Sequence, residues 1–232
     1  MKKFFNPFLS IIVVITIIVL VLNVNVTTRK GVNFQWHTIK LPLYLKILDF
    51  FDRHYNYKQL VKIIIRDAKT DQERVMKIFE WTYKNLKKVP EGLPVVDDHV
   101  WYIIVRGYGA SDQFCDVFAT LCNYAGLEAF YSLVYTYDRA KSIPLCFVKI
   151  GKKWRVFDPY YGVYFKDKTG NLADIVALKS GSWTAECNKE EMNSDYALYF
   201  HNFTAIKETD LNRTNIQSPL KRLLFEIKKH KR

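Results

Sequence analysis

The chain has 232 residues, 49% of them hydrophobic and 25% charged, the composition of a globular protein able to fill a sizeable core. Its formal net charge of +12 points to an anionic neighbour. The excess is not gathered on a zinc finger, an RNP motif or a basic-aromatic alternation, which excludes a base-reading nucleic-acid protein.

Lys2 and Lys3 precede an apolar run, residues 8–22, whose only polar members are Ser10 and Thr16. With Phe4, Phe5, Val24 and Val26 the stretch reaches the roughly 20 residues needed to cross a hydrocarbon core. A core helix would not be apolar on every side. No small-x-small cleavage site follows, so residues 1–26 read as an uncleaved transmembrane signal anchor and the protein as single-pass. Lys2 and Lys3 on one flank are balanced by Arg29, Lys30 and Lys40 on the other, so charge alone does not orient the span.

Residues 27–55 read as a juxtamembrane connector, its first stretch ending near Pro42. A helix is expected over residues 57–67, where Leu60, Val61, Ile64 and Ile65 form an apolar stripe. The next helix is better marked. Thr70-Asp71-Gln72-Glu73 fits a capping box, and Val75, Ile78, Phe79, Thr82 and Leu86 follow at helical spacing. Pro90, Gly92 and Pro94 end it and open a loop.

His99 and Trp101 lie in the approach to a turn, Gly107-Tyr108-Gly109, whose glycines allow a tight backbone path. A helix over residues 112–125 closes at Gly126. Strands follow over residues 129–136, 145–150 and 153–157, with Gly151-Lys152 as the turn of a hairpin. Cys115 and Cys122 share a helix face with Phe118, at a separation of about 10 Å along the axis that excludes a disulfide between them. Buried inert thiols fit that pattern. There is no CxxC, and neither metal nor cofactor is expected.

The segments RGYGASDQFCDVFATLCNYAGLEA, from Arg106, and KIGKKWRVFDP, ending at Pro159, resemble the core of the transglutaminase-like superfamily. The preceding run DQERVMKIFEWTYKNLKKV resembles the helix that leads into that core. The resemblance implies an α+β, papain-like fold, with a helix packed on a small antiparallel sheet over residues 56–165. It also implies a Cys-His-Asp triad acting on glutamine, peptide or other amide bonds. Aligning Gly126 and Ala129 with the Gly-hydrophobic-x-Ala signal that closes the family's helix puts Ser111 at the nucleophile position. Phe114 then fills an aromatic position and Cys115 a small one. The His position falls on Ile143, and no histidine occurs between Trp101 and Phe200. Asp158 alone is retained.

A Cys at a helix N-terminus gains thiolate character from free N–H groups and the macrodipole, and a His then relays the proton. A serine hydroxyl is far less acidic and here lacks a base, so Ser111 reads better as an N-cap. The domain is therefore expected to be a pseudoenzyme that binds a peptide or envelope glycan around Ser111, Trp101, Ile143 and Asp158. Gly109 and Trp154 are further candidate binding residues, Trp154 also fitting core packing. The alternative is an active thiol peptidase or amide acyltransferase that uses Cys115 with His99 or His201.

Beyond residue 165 the chain reads as a C-terminal extension, residues 166–232. A short helix over residues 172–179 stops at Gly181, and an aromatic stretch over residues 183–203 follows. Asn202 and Asn212 each sit in a glycosylation sequon, a pattern too common to carry weight. Ser218-Pro219 opens a last helix with Leu220, Leu223, Leu224 and Ile227 on one face and Lys221, Arg222, Lys228, Lys229, Lys231 and Arg232 around it. Such a helix either docks on the domain or lies on an anionic membrane surface over residues 219–232. With the anchor, the family resemblance gives an extracytoplasmic domain in the cell envelope.

Overall fold

The computed structural model describes residues 7–97, 99–187, 195–201, 203 and 218–229. The sequons and residues 1–6 lie outside them. Helix α1, Pro7–Leu22, takes up the apolar run, and its large side chains are exposed. Its 16 residues make a rod of about 24 Å, short of the ~30 Å hydrocarbon core. Among the described residues no helix is long and apolar enough to cross a membrane. Val26, counted with the run in the sequence, belongs instead to a strand.

The expected connector is ordered. Strands β1, Asn25–Val32, and β2, Gln35–Pro42, form an antiparallel hairpin with Val32 paired to Gln35. Asn33 and Phe34 make its two-residue turn, both with positive φ, +47° and +65°, as a primed turn requires. Helix α2, Leu43–Ile64, then begins well before the expected helix. Its first half leaves Leu45, Leu48 and Phe51 exposed, so it has no buried stripe to betray it in the sequence.

Helix α3, Asp71–Asn85, is capped by Thr70, whose hydroxyl accepts the Glu73 N–H at 3.2 Å. Glu73 reaches back one residue further than a capping box requires and accepts the Lys69 N–H at 2.6 Å. Val75, Ile78, Phe79, Thr82 and Leu86 are all buried. Strand β3, Lys87–Lys88, follows, then β4, Val96–Asp97, which adds to β1. Helix α4, Val100–Arg106, ends at Gly107 in the left-handed region, and β5, Tyr108–Gly109, pairs in parallel with β3. Helix α5 runs Ser111–Tyr124.

The main sheet is an antiparallel meander of β6, Ala129–Tyr135; β7, Ser142–Ile150; β8, Lys153–Asp158; β9, Val163–Asp167; and β10, Trp183–Cys187. Along β7 the side chains alternate between two cores. Cys146 and Val148 join α3 and α5 on one face, with Phe79, Phe118 and Phe157. Leu145 and Phe147 join the other face, with Tyr196 and Phe200. All four are buried, so the sheet is covered on both sides. The second cover comes from α6, Ile175–Lys179, and α7, Ala197–Phe200. The fold is α+β. The last helix, α8, spans Pro219–Lys229.

Candidate functional site

The start of α5 is shaped by a glycine and a glutamine. A Cβ on Gly109 would meet Oε1 of Gln113 at 3.0 Å and Cγ2 of Ile103 at 3.3 Å, so a side chain there would crowd the glutamine that holds the turn. Gln113 is buried, accepts the Ala110 N–H at 3.1 Å and donates to the Val96 carbonyl at 2.6 Å. The N-cap is Ala110 and Ser111 is the first helical residue, which corrects the capping role expected of Ser111. With Gln113 already holding the Ala110 amide, the turn is fixed without a cap hydroxyl. Ser111 is half-buried, and its hydroxyl makes no hydrogen bond among the described residues.

Cys115 is fully buried one turn further on, its Sγ 3.5 Å from the Pro144 carbonyl and in contact with the Cys146 thiol. Burial pushes its pKa up, and the carboxylates of Asp158, Asp116 and Asp112 push the same way, against the Cys146 contact. Asp116 is itself raised to about 7, by desolvation first and then by Asp112 and Asp97. The helix start is thus an acidic neighbourhood, the reverse of what a thiolate needs.

Among the described residues no histidine hydrogen-bonds to either nucleophile candidate. His99 precedes α4 and stacks near Tyr102, ring centroids 6.0 Å apart; desolvation and then Arg53 lower its pKa. His201 caps the end of α7 and is exposed. His54 bonds to the Tyr124 hydroxyl at 2.9 Å. Ile143, on β7, pairs with Val134 of β6 and packs in the cluster that holds Tyr196, whereas Cys115 packs in the cluster under α5.

Asp158 ends β8 and is 3% exposed. Its Oδ1 accepts the N–H groups of Tyr160 and Tyr161, both at 3.1 Å, and its Oδ2 accepts the Tyr196 hydroxyl at 2.9 Å. Desolvation raises its pKa to about 6, although these three donors and Lys88 favour the charged form. Tyr196 was not picked out in the sequence; an isolated tyrosine in an aromatic stretch carries no signal for such a role.

The tryptophans serve packing. Trp101 stands edge-on to Tyr57 at 5.4 Å, and Trp154 edge-on to Phe130 at 5.1 Å with Lys149 over its ring. The open space lies elsewhere. A cleft of about 380 Å³ runs between the end of α3, β3 and the turn after Asp158, with Phe114 on its floor. Tyr83, Lys84, Lys87 and Lys88 line one side, and Tyr160 and Tyr161 the other. The Lys88 ammonium sits over the rings of Tyr160 and Tyr161, at 5.0 and 4.9 Å. In the sequence these residues are only a KK pair and a YY pair, distant from each other. Among the described residues no group of His, Cys, Asp or Glu could hold a metal ion.

No curated protein matches the chain. Among solved structures it is similar to a candidate cysteine protease from Cytophaga hutchinsonii, at 15% identity over 60% of this chain and 52% of that one, with a TM-score of 0.40. It is similar to a candidate protease from Parabacteroides distasonis, at 13% identity over 66% and 32%, TM-score 0.38. A third is a TGase, at 13% identity over 57% and 43%, TM-score 0.36. The chain therefore spans between about a third and about half of the length of these structures. The sequence pattern described as the transglutaminase-like superfamily matches residues 58–178, from within α2 to α6. That match takes in more than half of the chain, including α3, α5 and strands β6 to β9, and the protein belongs to the transglutaminase-like superfamily.

Proposed function

We propose that this protein is a membrane-tethered, catalytically inactive transglutaminase-like domain that binds a peptide or glycan in the cell envelope. The observation that carries the inactive reading is the surroundings of Asp158. Its carboxylate is engaged by Tyr196 and two backbone amides instead of an imidazole. Two further features point the same way. Cys115 is buried in the core with carboxylates nearby, and the Ser111 hydroxyl has no histidine bonded to it among the described residues. A general base is worth roughly 10²–10⁴ in rate, and a nucleophile without one stays weak.

Support for the tether comes from the apolar, exposed α1 and from neighbouring exposed groups. Phe34 and Trp36 project from the hairpin that follows it, and α8 leaves Leu220, Leu223, Leu224 and Ile227 exposed beside basic residues. Aromatic and basic-amphipathic surfaces of this kind suit the membrane interface and its anionic lipids. The domain lies outside the cytoplasmic membrane in this reading, which rests on the family resemblance.

The test is incubation of the purified protein with amine donors and glutamine-containing peptides, read by mass spectrometry. No transamidated or cleaved product is expected. Turnover that disappears in Ser111→Ala or Cys115→Ala would establish an active thiol or hydroxyl enzyme instead.

A further inference from the structure

The cleft between α3, β3 and the turn after β8 has a character that the lost triad does not explain. Its volume, about 380 Å³, falls within the range of ligand pockets. Three lysines meet there. Lys84 bonds to Glu80 at 3.3 Å, but both side chains are over half exposed, so the pair is weak and easily exchanged. Among the described residues neither Lys87 nor Lys88 makes an ion pair.

The wall that carries them is a strand edge. Among the described residues β3 pairs only with β5, and its other edge has no strand partner. Lys87 gives its N–H to the Gly107 carbonyl at 2.9 Å, and successive amides of a strand point to opposite edges, which turns that of Lys88 outward. A free edge takes another extended backbone by β-augmentation. A sugar ring would instead need an open aromatic face. Here the Lys88 ammonium covers a face of both Tyr160 and Tyr161, and Phe114 is buried.

We propose that this cleft binds an extended peptide with acidic side chains, its backbone adding to the edge of β3 and its carboxylates meeting Lys84, Lys87 and Lys88. The proposal rests on the binding role proposed above and names its ligand class. The Tyr160 and Tyr161 rings, already polarised toward a cation, keep the Lys88 ammonium in place for a carboxylate.

The test uses the full chain in detergent, with a fluorescein-labelled alternating Glu-Ala octapeptide as the probe and fluorescence polarisation as the readout. Its Gln-Ala counterpart and oligogalacturonate serve as comparisons. Saturable binding of the Glu-Ala peptide is expected, weakened about ten-fold, the size of one charged hydrogen bond, in Lys88→Glu and in Lys87→Glu. Lys84→Glu, on an exposed helix position, carries the test should the strand variants fail to fold. Lys152→Glu makes the same charge change in the distant hairpin turn and is expected to bind as the parent does. The proposal is overturned by no binding of the Glu-Ala peptide, by equal binding of the Gln-Ala peptide or oligogalacturonate, or by an equal loss in Lys152→Glu. Cleaved or transamidated peptide in the same samples would refute inactivity while leaving the cleft assignment standing.

Discussion

Tyr196 donates its phenolic hydroxyl to Oδ2 of Asp158 at 2.9 Å, joining the start of α7 to the end of β8 inside the second core. Both residues are almost fully buried. The carboxylate that a triad would turn toward an imidazole is thereby spent on holding α7 against the sheet. These bonds give Asp158 a sufficient structural reason to be there.

Removing that hydroxyl leaves Asp158 with two amide donors in a desolvated site. Tyr196→Phe is expected to cost about 1–3 kcal/mol of stability, read from denaturant unfolding. Because the hydroxyl favours the charged form, the same change moves the Asp158 pKa further up.

The raised pKa of Asp158 has a definite sign in stability. Between its ordinary value of 3.8 and about 6 the folded state binds the proton more tightly than the unfolded state. Its contribution is therefore fully present below 3.8 and is lost as pH rises through about 6. A shift of about two units corresponds to about 3 kcal/mol. His99, with its lowered pKa, acts in the opposite direction, so the measurement is the difference between parent and Asp158→Asn across that window. The difference should vary with pH in the stated sense; a flat difference would remove Asp158 as the titrating group.

Thiol reactivity separates the inactive domain from an active thiol enzyme. Cys115, Cys122 and Cys146 are buried with raised pKa values, while Cys187 is half-buried. With iodoacetamide at neutral pH, Cys187 is expected to label first and the other three only after denaturation, as mapped by peptide mass spectrometry. Fast, selective labelling of Cys115 would contradict the proposal.

Gly162 and Gly151 both have positive φ, +67° and +61°, but different surroundings. A Cβ on Gly162 would lie 2.6 Å from the Tyr83 ring, whereas one on Gly151 meets nothing within 4 Å. Gly151→Ala is expected to cost only the backbone strain, about 1 kcal/mol, and Gly162→Ala clearly more, with displacement of Tyr83 at the cleft. Thermal melts of the two variants make the comparison, and equal losses would argue against the Tyr83 contact.

Helix α8 offers a membrane test. In full-length protein reconstituted into vesicles, tryptic cleavage at Arg222 and Lys228 is expected to slow when the lipid is anionic and not when it is zwitterionic. Leu223→Glu with Leu224→Glu should abolish the protection, since both side chains are exposed and available to the bilayer.

Much of the first core was legible in the sequence. The Thr70 cap and the stripe from Val75 to Leu86 mark α3, and the amphipathic run to Gly126 marks α5, because cap and spacing signals lie within a few residues of one another. The strands around Gly151 were legible for the same reason. The early start of α2 was not, since its first half is not buried and leaves no inward stripe. Nor was the second cover of the sheet. The aromatic stretch after Trp183 shows no single period from which Tyr196, Phe200 and Phe203 could be assigned to one face.

The sequence by itself determined that no histidine lies between Trp101 and Phe200. That much is fixed before folding, because a side chain missing from a segment is missing from it in every conformation. Which groups meet Asp158 and Lys88 was decided only by the tertiary structure. Tyr196 reaches Asp158 across 38 residues, and Lys88 meets Tyr160 although α4, α5 and strands β4 to β8 separate them in the chain. Such pairs are selected by packing and desolvation between distant segments, and no local period or spacing records them.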